Sequence, residues 1–163
     1  MILSENHLMI REMARQFAEK ELTREVLDEA EATNSFRKSV LDHMVQAGLT
    51  SIKIPEEYGG QGGDNLSFVI ALEEVCRKSA VAGIYMSNPN SLGSGPLLIN
   101  GTEEQKRYYI PKLATLEKRM CFALSEPGAG SDAGSIITRA VRDGDSYVIS
   151  LSLIHISEPT RPI

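Results

Sequence analysis

The sequence predicts an α+β fold in which an N-terminal all-α helical domain is followed by the start of an antiparallel β-domain. Apolar residues recur at helical spacing through most of the chain, with glycine and proline between the periodic stretches. After about residue 118 the pattern changes to short β-branched runs on either side of a turn at 143–145. Because two antiparallel strands cannot bury a sheet face alone, we expect the β-domain to be incomplete.

Composition and charge narrow the class of protein. The chain has 163 residues, of which 42% are hydrophobic and 24% charged, as expected for a globular domain with a sizeable core. Its net charge of -5 disfavours a surface for nucleic acid or anionic lipid, which needs an excess of lysine and arginine. No secretory leader and no apolar run of membrane-spanning length is visible, so we expect a cytoplasmic protein without a membrane span.

The cysteines and histidines give no sign of disulfide or metal chemistry. Cys76 and Cys121 lie far apart in apolar surroundings without CxxC spacing, which predicts two buried thiols in a reducing compartment. His7, His43 and His155 lack metal-ligand spacing, so we expect structural or solvent-facing roles for them and no metal site.

The first part of the helical domain is predicted as two helices. Apolar residues repeat with the helical period from Ser4 to about Ala32, and Ser4 is well placed to cap the first turn. A second helix is expected from about Ser35 to Ala47. Gly48 follows it at the position where a left-handed glycine commonly ends a helix.

A loop rich in glycine separates these helices from the rest of the domain. Residues 54–63 contain a proline and four glycines, which are unfavourable inside a helix. Asp64 or Asn65 is then expected to cap a third helix.

Three further helices and three strands complete the predicted elements. Two short helices are expected between Ser79 and Asn100, and the Thr102-Glu103-Glu104-Gln105 run fits a capping box for a helix ending near Pro111. Strands are expected over 120–124, 136–142 and 146–150, with the last two forming a hairpin around Asp143-Gly144-Asp145.

The most distinctive segment reads FALSEPGAGSD over residues 122–132. Gly128 and Gly130 can take positive φ values, so successive backbone N–H groups are expected to form a concave nest for an anionic or carbonyl-rich ligand. The glycine spacing matches neither a P-loop nor a dinucleotide fingerprint. Composition alone favours a strand, a Pro-Gly turn and a return without any ligand.

Four segments together carry a resemblance to a known family. They are IPEEYGG at 54–60, NSLG at 90–93, GTEEQK at 101–106 and the string from Phe122 to Ser135. On these residues the chain resembles the acyl-CoA dehydrogenase family over roughly residues 3–150. The resemblance implies an N-terminal helical domain at 1–117 and the beginning of the middle β-domain, with the flavin-binding signature, at 118–150. Residues 151–163 differ from the family pattern and are expected to be an atypical, foreign tail outside the native core.

The resemblance also implies a cofactor, FAD, and a set of contacts. The residues implied to bind the flavin are Phe122, Ala123, Leu124, Ser125, Gly128, Gly130 and Ser131. Ser131 is expected to face the acyl-CoA substrate. Leu92 and Ser91, with Met86 and Leu97 nearby, are expected to form part of a wall for the acyl chain, although ordinary core packing accounts for them equally well.

Family members introduce a Cα–Cβ double bond into an acyl-CoA thioester by removing the α proton and passing the β hydrogen to the flavin as hydride. The resemblance places the catalytic base in a C-terminal domain beyond this chain, so no catalytic residue is assigned here and the chain is expected to be inactive alone. It further implies an electron-transfer flavoprotein as electron acceptor and a homo-oligomer, a homotetramer, at full length.

The glutamates near the motifs are not expected to be catalytic. Each is expected to cap a helix, to lie in a turn or to lie on a solvated face: Glu56, Glu57, Glu73, Glu74 and Glu126.

Two alternative functions remain open for the whole chain. They are a non-catalytic helical interaction module on the same fold and a flavin-dependent acyl-CoA oxidase.

Overall fold

A computed structural model describes residues 3–150 of the protein. The helices are α1 (Glu5–Glu21), α2 (Arg24–Thr33), α3 (Lys38–Gln46), α4 (Asn65–Cys76), α5 (Ala80–Asn90), α6 (Ser94–Asn100) and α7 (Glu103–Ala114). The strands are β1 (Arg139–Asp143) and β2 (Ser146–Ser150). The chain divides into two compact units between Cys121 and Phe122, and each is described by itself. The expectations for His155 and for the tail at 151–163 lie outside the described residues.

The stretch from Ser4 to about Ala32, predicted as one helix, forms two helices. Ser4 caps α1 as predicted and shares a capping box with His7. The chain leaves the helix at Leu22, and the Thr23 hydroxyl accepts a hydrogen bond from the Val26 amide at 3.4 Å, which starts α2. Leu22 and Val26 are both buried, so the apolar period continues across the break. The periodicity therefore could not reveal where α1 ends.

α3 ends where predicted, but it begins later in the sequence than predicted. α3 starts at Lys38, three residues after the expected Ser35, because Arg37 is still extended at ψ 141°. Gly48 has φ +69°, a left-handed conformation that follows the last helical turn. That prediction is confirmed.

The loop at 54–63 packs on itself through backbone contacts. Gly60 lies so near the Ile54 carbonyl that a Cβ there would stand 2.0 Å from the oxygen. The Tyr58 ring is buried, and its hydroxyl donates to Glu103 at 3.1 Å, which ties the loop to α7. Only a residue without a side chain fits at position 60.

The main core of the first unit lies where α1 packs along α4. Asp64 caps α4, with its carboxylate accepting from the Ser67 amide at 2.7 Å, as one of the two predicted caps. The core's fully buried members come from α1, α3, α4, α5 and the segment after α3: Ala14, Met44, Leu49, Ile52, Ala71, Val75, Ala82 and Met86. The Phe36 ring meets the Tyr85 ring edge-on, with centroids 5.6 Å apart.

The predicted capping box of α7 is confirmed, whereas the predicted end of this helix is wrong. Thr102 and Gln105 form the predicted capping box of α7. The helix does not stop near Pro111 but continues through Ala114, because a proline three residues from the end removes only one hydrogen bond of the last turn. Two short helices, α5 and α6, stand between Ser79 and Gly101 as expected.

The second unit contains a β-hairpin. β1 and β2 pair antiparallel with Val141 opposite Val148, on either side of Gly144 at φ +59°. The hairpin is confirmed, although β1 begins at Arg139 and not near Ile136. The strand predicted at 120–124 does not form, since no partner strand pairs with it within the described residues.

Among residues 3–150, no helix has both the length and the apolar character that a membrane crossing requires.

Candidate functional site

The segment at 122–125 is exposed and forms neither helix nor strand. All its residues are exposed, with Phe122 at 46% and Leu124 at 41%. Within residues 122–150 the backbone amides of this segment have no hydrogen-bond partner. Free N–H and C=O groups beside exposed apolar side chains match what the edge and face of an isoalloxazine ring require. The residues present therefore fit a flavin.

The turn after this segment differs from the predicted nest. Glu126 and Ala129 exchange both backbone hydrogen bonds, at 3.0 and 3.1 Å, around Pro127 and Gly128. Neither Gly128 nor Gly130 has a positive φ, and a Cβ at either position would meet nothing within 4 Å. The expectation that these glycines take left-handed conformations is wrong, because the tight pair between Glu126 and Ala129 closes the turn without them.

The carboxylate of Glu126 is fully engaged by backbone donors. Its oxygens accept from the Ile137 amide at 2.9 Å and the Thr138 amide at 2.8 Å, and the Thr138 hydroxyl also donates to it. These bonds hold the pKa of Glu126 below its ordinary value. The loop 127–136 is thereby closed at both ends by one side chain.

Ser131 lies on this closed loop. It is exposed, as are the residues on either side of it. Beyond it, the Asp132 carboxylate accepts a hydrogen bond from the Ser135 hydroxyl, and the Ser135 amide donates to the Asp132 carbonyl at 3.1 Å. Ser131 therefore stands free for a ligand between two locally bonded turns.

The residues predicted to line an acyl chain lie in the first unit, at the junction of α5 and α6. Leu92 is 50% exposed, Ser91 and Leu97 are half-buried, and Met86 is fully buried in the main core. Leu92 is therefore a surface residue, whereas Met86 is a core residue. The residues predicted to contact the flavin fall in the second unit.

Asn90 is a buried polar residue whose importance sequence reasoning missed. Its amide nitrogen donates to the Leu49 and Met86 carbonyls, both at 2.8 Å, and its side-chain oxygen accepts from the Lys53 amide at 2.9 Å. It thus joins the end of α5 to the segment after α3. Its immediate neighbours in the sequence are Pro89 and Ser91, so no apolar flank marked it as a core residue.

A small cavity of about 240 Å³ opens beside α5. It is lined by Ile84, Tyr85, Asn88, Pro89, Leu116, Arg119, Met120 and Cys121. The Arg119 guanidinium lies 4.9 Å from the centre of the Tyr85 ring, and the Asn88 amide donates to the Met120 carbonyl at 3.0 Å. This is an apolar recess with one cation at its rim.

The cysteines are not buried as predicted. Cys121 and Cys76 are both exposed. The Cys76 sulfur packs against Gly83, where a Cβ would lie 2.2 Å away, and this partial burial raises the pKa of its thiol. Cys76 is the last residue of α4, and Cys121 lies in the segment after α7 that forms neither helix nor strand.

Glu74 departs from the expected surface role. It is buried at 6% exposure, and Arg15 binds it through two nitrogens at 2.8 and 3.1 Å. The hydrogen bonds to Arg15 lower the pKa of Glu74 below its ordinary value. A carboxylate held ionised by a paired arginine is a poor proton acceptor at neutral pH, so Glu74 is a structural residue.

Among the described residues, no group of three or more His, Cys, Asp or Glu side chains could hold a metal ion.

Comparison with known proteins identifies the family. The family model described as acyl-CoA dehydrogenase, N-terminal domain, matches residues 4–117. The chain is 53% identical over 150 residues to the caffeyl-CoA reductase-Etf complex subunit CarC of Acetobacterium woodii, and 47% identical over 150 residues to the 3-(aryl)acrylate reductase of Clostridium sporogenes. Each alignment covers 92% of this chain and 40% of the relative.

A solved structure gives the same result. The acyl-CoA dehydrogenase of Bacillus anthracis, crystallised with FAD, superposes with a TM-score of 0.74 at 33% identity, over 90% of this chain and 25% of that one. The chain spans about 40% of the length of the curated relatives it matches. Because the family's N-terminal-domain model covers most of its residues, the chain belongs to the acyl-CoA dehydrogenase family.

Proposed function

We propose that this chain supplies the helical domain and the flavin-contact segment of an FAD-dependent enzyme that acts on the Cα–Cβ bond of an acyl-CoA thioester. The observation that carries the proposal is the exposed segment 122–125 with its free backbone groups, in a chain of this family. The helical domain at 1–117 and the β-domain start at 118–150 are the two parts of the proposal.

The chain's own residues would bind and orient. The backbone around Leu124 and the hydroxyl of Ser125 would hold the pyrimidine edge of the ring, where negative charge develops on reduction. Phe122 and Leu124 would cover apolar ring surface and exclude water. When bound, FAD supplies the acceptor for a hydride. Ser131 would face the acyl-CoA, and Leu92 and Ser91 would border its acyl chain.

The catalytic base is proposed to lie outside this chain. The carboxylates with buried or multiple contacts are already engaged, Glu74 by Arg15 and Glu126 by backbone amides. Their lowered pKa values suit ion pairing and not proton abstraction. A cytoplasmic location and a homo-oligomeric full-length enzyme complete the proposal.

A second candidate is the reverse reaction, reduction of an α,β-unsaturated acyl-CoA. Two relatives favour it, since the proteins at 53% and 47% identity are named as reductases. The first is named as part of an Etf complex, which supports an electron-transfer flavoprotein as partner. Both directions use the same flavin and the same thioester site. The two candidates therefore differ in the redox potential of the partner that exchanges electrons with the flavin, and not in the residues of this chain.

A chimera tests the proposal directly. Residues 3–150 of this chain replace the matching segment of the Acetobacterium woodii relative, and the purified product is analysed for bound FAD by its visible spectrum. Dye reduction with saturated acyl-CoA thioesters and reoxidation of the reduced flavin by unsaturated ones then distinguish the two directions. The parental relative is the matched control.

The outcomes are distinct. Bound flavin together with turnover of either thioester supports the proposal. A folded chimera that contains no flavin, while the parental protein is yellow, contradicts it. A yellow chimera whose reduced form consumes oxygen as fast as it accepts electrons from acyl-CoA would favour the oxidase alternative instead.

A further inference from the structure

The half-buried side chain of Glu126 connects two parts of the second unit. Its backbone begins the turn at 126–129, and its carboxylate reaches across to the two amides that precede β1. The Thr138 hydroxyl adds a third donor. One residue therefore connects the turn, the closed loop 127–136 and the start of the hairpin.

The closed loop contains the residues proposed to contact ligands. Gly128, Gly130 and Ser131 lie between the two points that Glu126 joins. Neither Gly128 nor Gly130 has a left-handed conformation, and a Cβ at either position would meet open space, although Ala129 between them is buried. The hydrogen bonds that join the two ends of the loop therefore contribute to its backbone conformation.

We infer that Glu126 is a positioning residue that fixes the loop 127–136, and through it the proposed flavin-contact residues, without touching the reacting atoms. This inference rests on the proposed function for the identity of the ligand. The geometry requires both carboxylate oxygens as acceptors. Glutamine keeps one acceptor and places an NH₂ group against the other amide, which makes Glu126→Gln a change of hydrogen bonding at constant size.

The first test measures the loop in the full chain without any ligand. Hydrogen exchange by NMR is compared for the amides of Ile137 and Thr138 in the wild type, Glu126→Gln and Glu126→Ala. We expect exchange to rise by about tenfold at both amides in Glu126→Ala and at one of them in Glu126→Gln. Asp145→Asn, which removes one negative charge from the hairpin turn of the same unit, is the control and leaves both amides unchanged. Unchanged exchange in both Glu126 variants would overturn the inference.

The second test uses the chimera defined above. Glu126→Gln is expected to lower the flavin content per folded protein and to raise the KM for acyl-CoA more than it lowers kcat, whereas Asp145→Asn retains the wild-type values. Faster amide exchange with normal flavin content and normal KM would show a local bond without a positioning role, and would overturn the inference while leaving the proposed function intact. A wild-type chimera without flavin would overturn the proposed function and the ligand part of the inference, and the exchange data would still decide whether Glu126 closes the loop.

Discussion

Asn90 illustrates how one buried amide can organise a helical unit. Each of its three hydrogen bonds satisfies a backbone group that is otherwise enclosed between α5 and residues 49–53. Its residue type alone gives no sign of this role, since asparagine is usually exposed or found in turns. The bonds require that the end of α5 and the segment after α3 be packed together, which only the folded chain determines.

We expect Asn90→Ala to lower the free energy of unfolding by about 2–3 kcal/mol, because two buried carbonyls and one half-buried amide lose a hydrogen-bond partner. Urea denaturation followed by circular dichroism measures the change. Asn100→Ala, at the exposed end of α6, serves as the control and shifts the midpoint little. Equal midpoints for the two variants would contradict the role assigned to Asn90.

The Arg15–Glu74 pair gives a pH-dependent prediction. The pKa of Glu74 is lowered in the folded state, so the pair contributes stability above the ordinary carboxyl pKa and loses it as the pH falls through the lowered value. We expect Glu74→Gln to lower the Tm at pH 7 by roughly 4–8 °C, and the difference from wild type to shrink as the pH falls below 4.5. Differential scanning calorimetry across this range checks it. Glu73→Gln, an exposed neighbour, is the control and keeps the wild-type pH profile.

At the scale of elements, local signals in the sequence predicted most helix starts. Ser4, Asp64 and Thr102 cap their helices as expected, because a cap needs only the next three residues. The break between α1 and α2 was not predicted, since buried residues continue the apolar period through it. The prediction of a strand at 120–124 was wrong for a different reason. A β-strand needs a partner strand, which no local pattern in the sequence specifies.

The sequence also predicted only some features of the candidate site. The resemblance of the segment at 122–131 to a family signature suggested a flavin, whereas its composition alone favoured a turn without a ligand. The exposure of residues 122–125 agrees with the flavin suggestion. The conformations of Gly128 and Gly130 were predicted wrongly, because the turn closes through the Glu126–Ala129 pair. The reach of the Glu126 carboxylate to residues 137–138 spans a whole loop and could not be inferred from spacing.

The start of α2 offers a test at this scale. Thr23→Ala removes the side-chain acceptor for the Val26 amide and should destabilise the first unit by about 1 kcal/mol. Thr23→Ser keeps a hydroxyl and should retain most of the stability. Chemical denaturation of the wild type and the two variants measures the free energy of unfolding of each. An equal loss of stability in both variants would show that the hydroxyl does not cap α2.

At the scale of the whole molecule, the two units differ in how much of their surface they bury. The first unit encloses a continuous core, whereas every residue of β1 and β2 is exposed. Relatives that are more than twice as long supply additional chain to the same family fold. The segment proposed to contact the flavin belongs to the second unit.

We therefore expect the chain alone to bind FAD weakly, with a Kd above about 1 μM, since exposed contacts at 122–131 leave the ring in water. Isothermal titration calorimetry on the full chain measures this value, with the chimera as the positive control. Submicromolar affinity of the unassisted chain would mean that the residues of this chain suffice for the cofactor.

The packing of α1 along α4 also determines the order in which the chain can become compact during synthesis. α1 leaves the ribosome before α4, and α4, which packs along it, ends only at Cys76. Until that residue has emerged, Phe17 and Ala18 have no long-range partner from α4, and the nascent helix presents its apolar stripe to solvent and to chaperones. Translation speed between α1 and α4 therefore determines how long the growing chain remains vulnerable to aggregation.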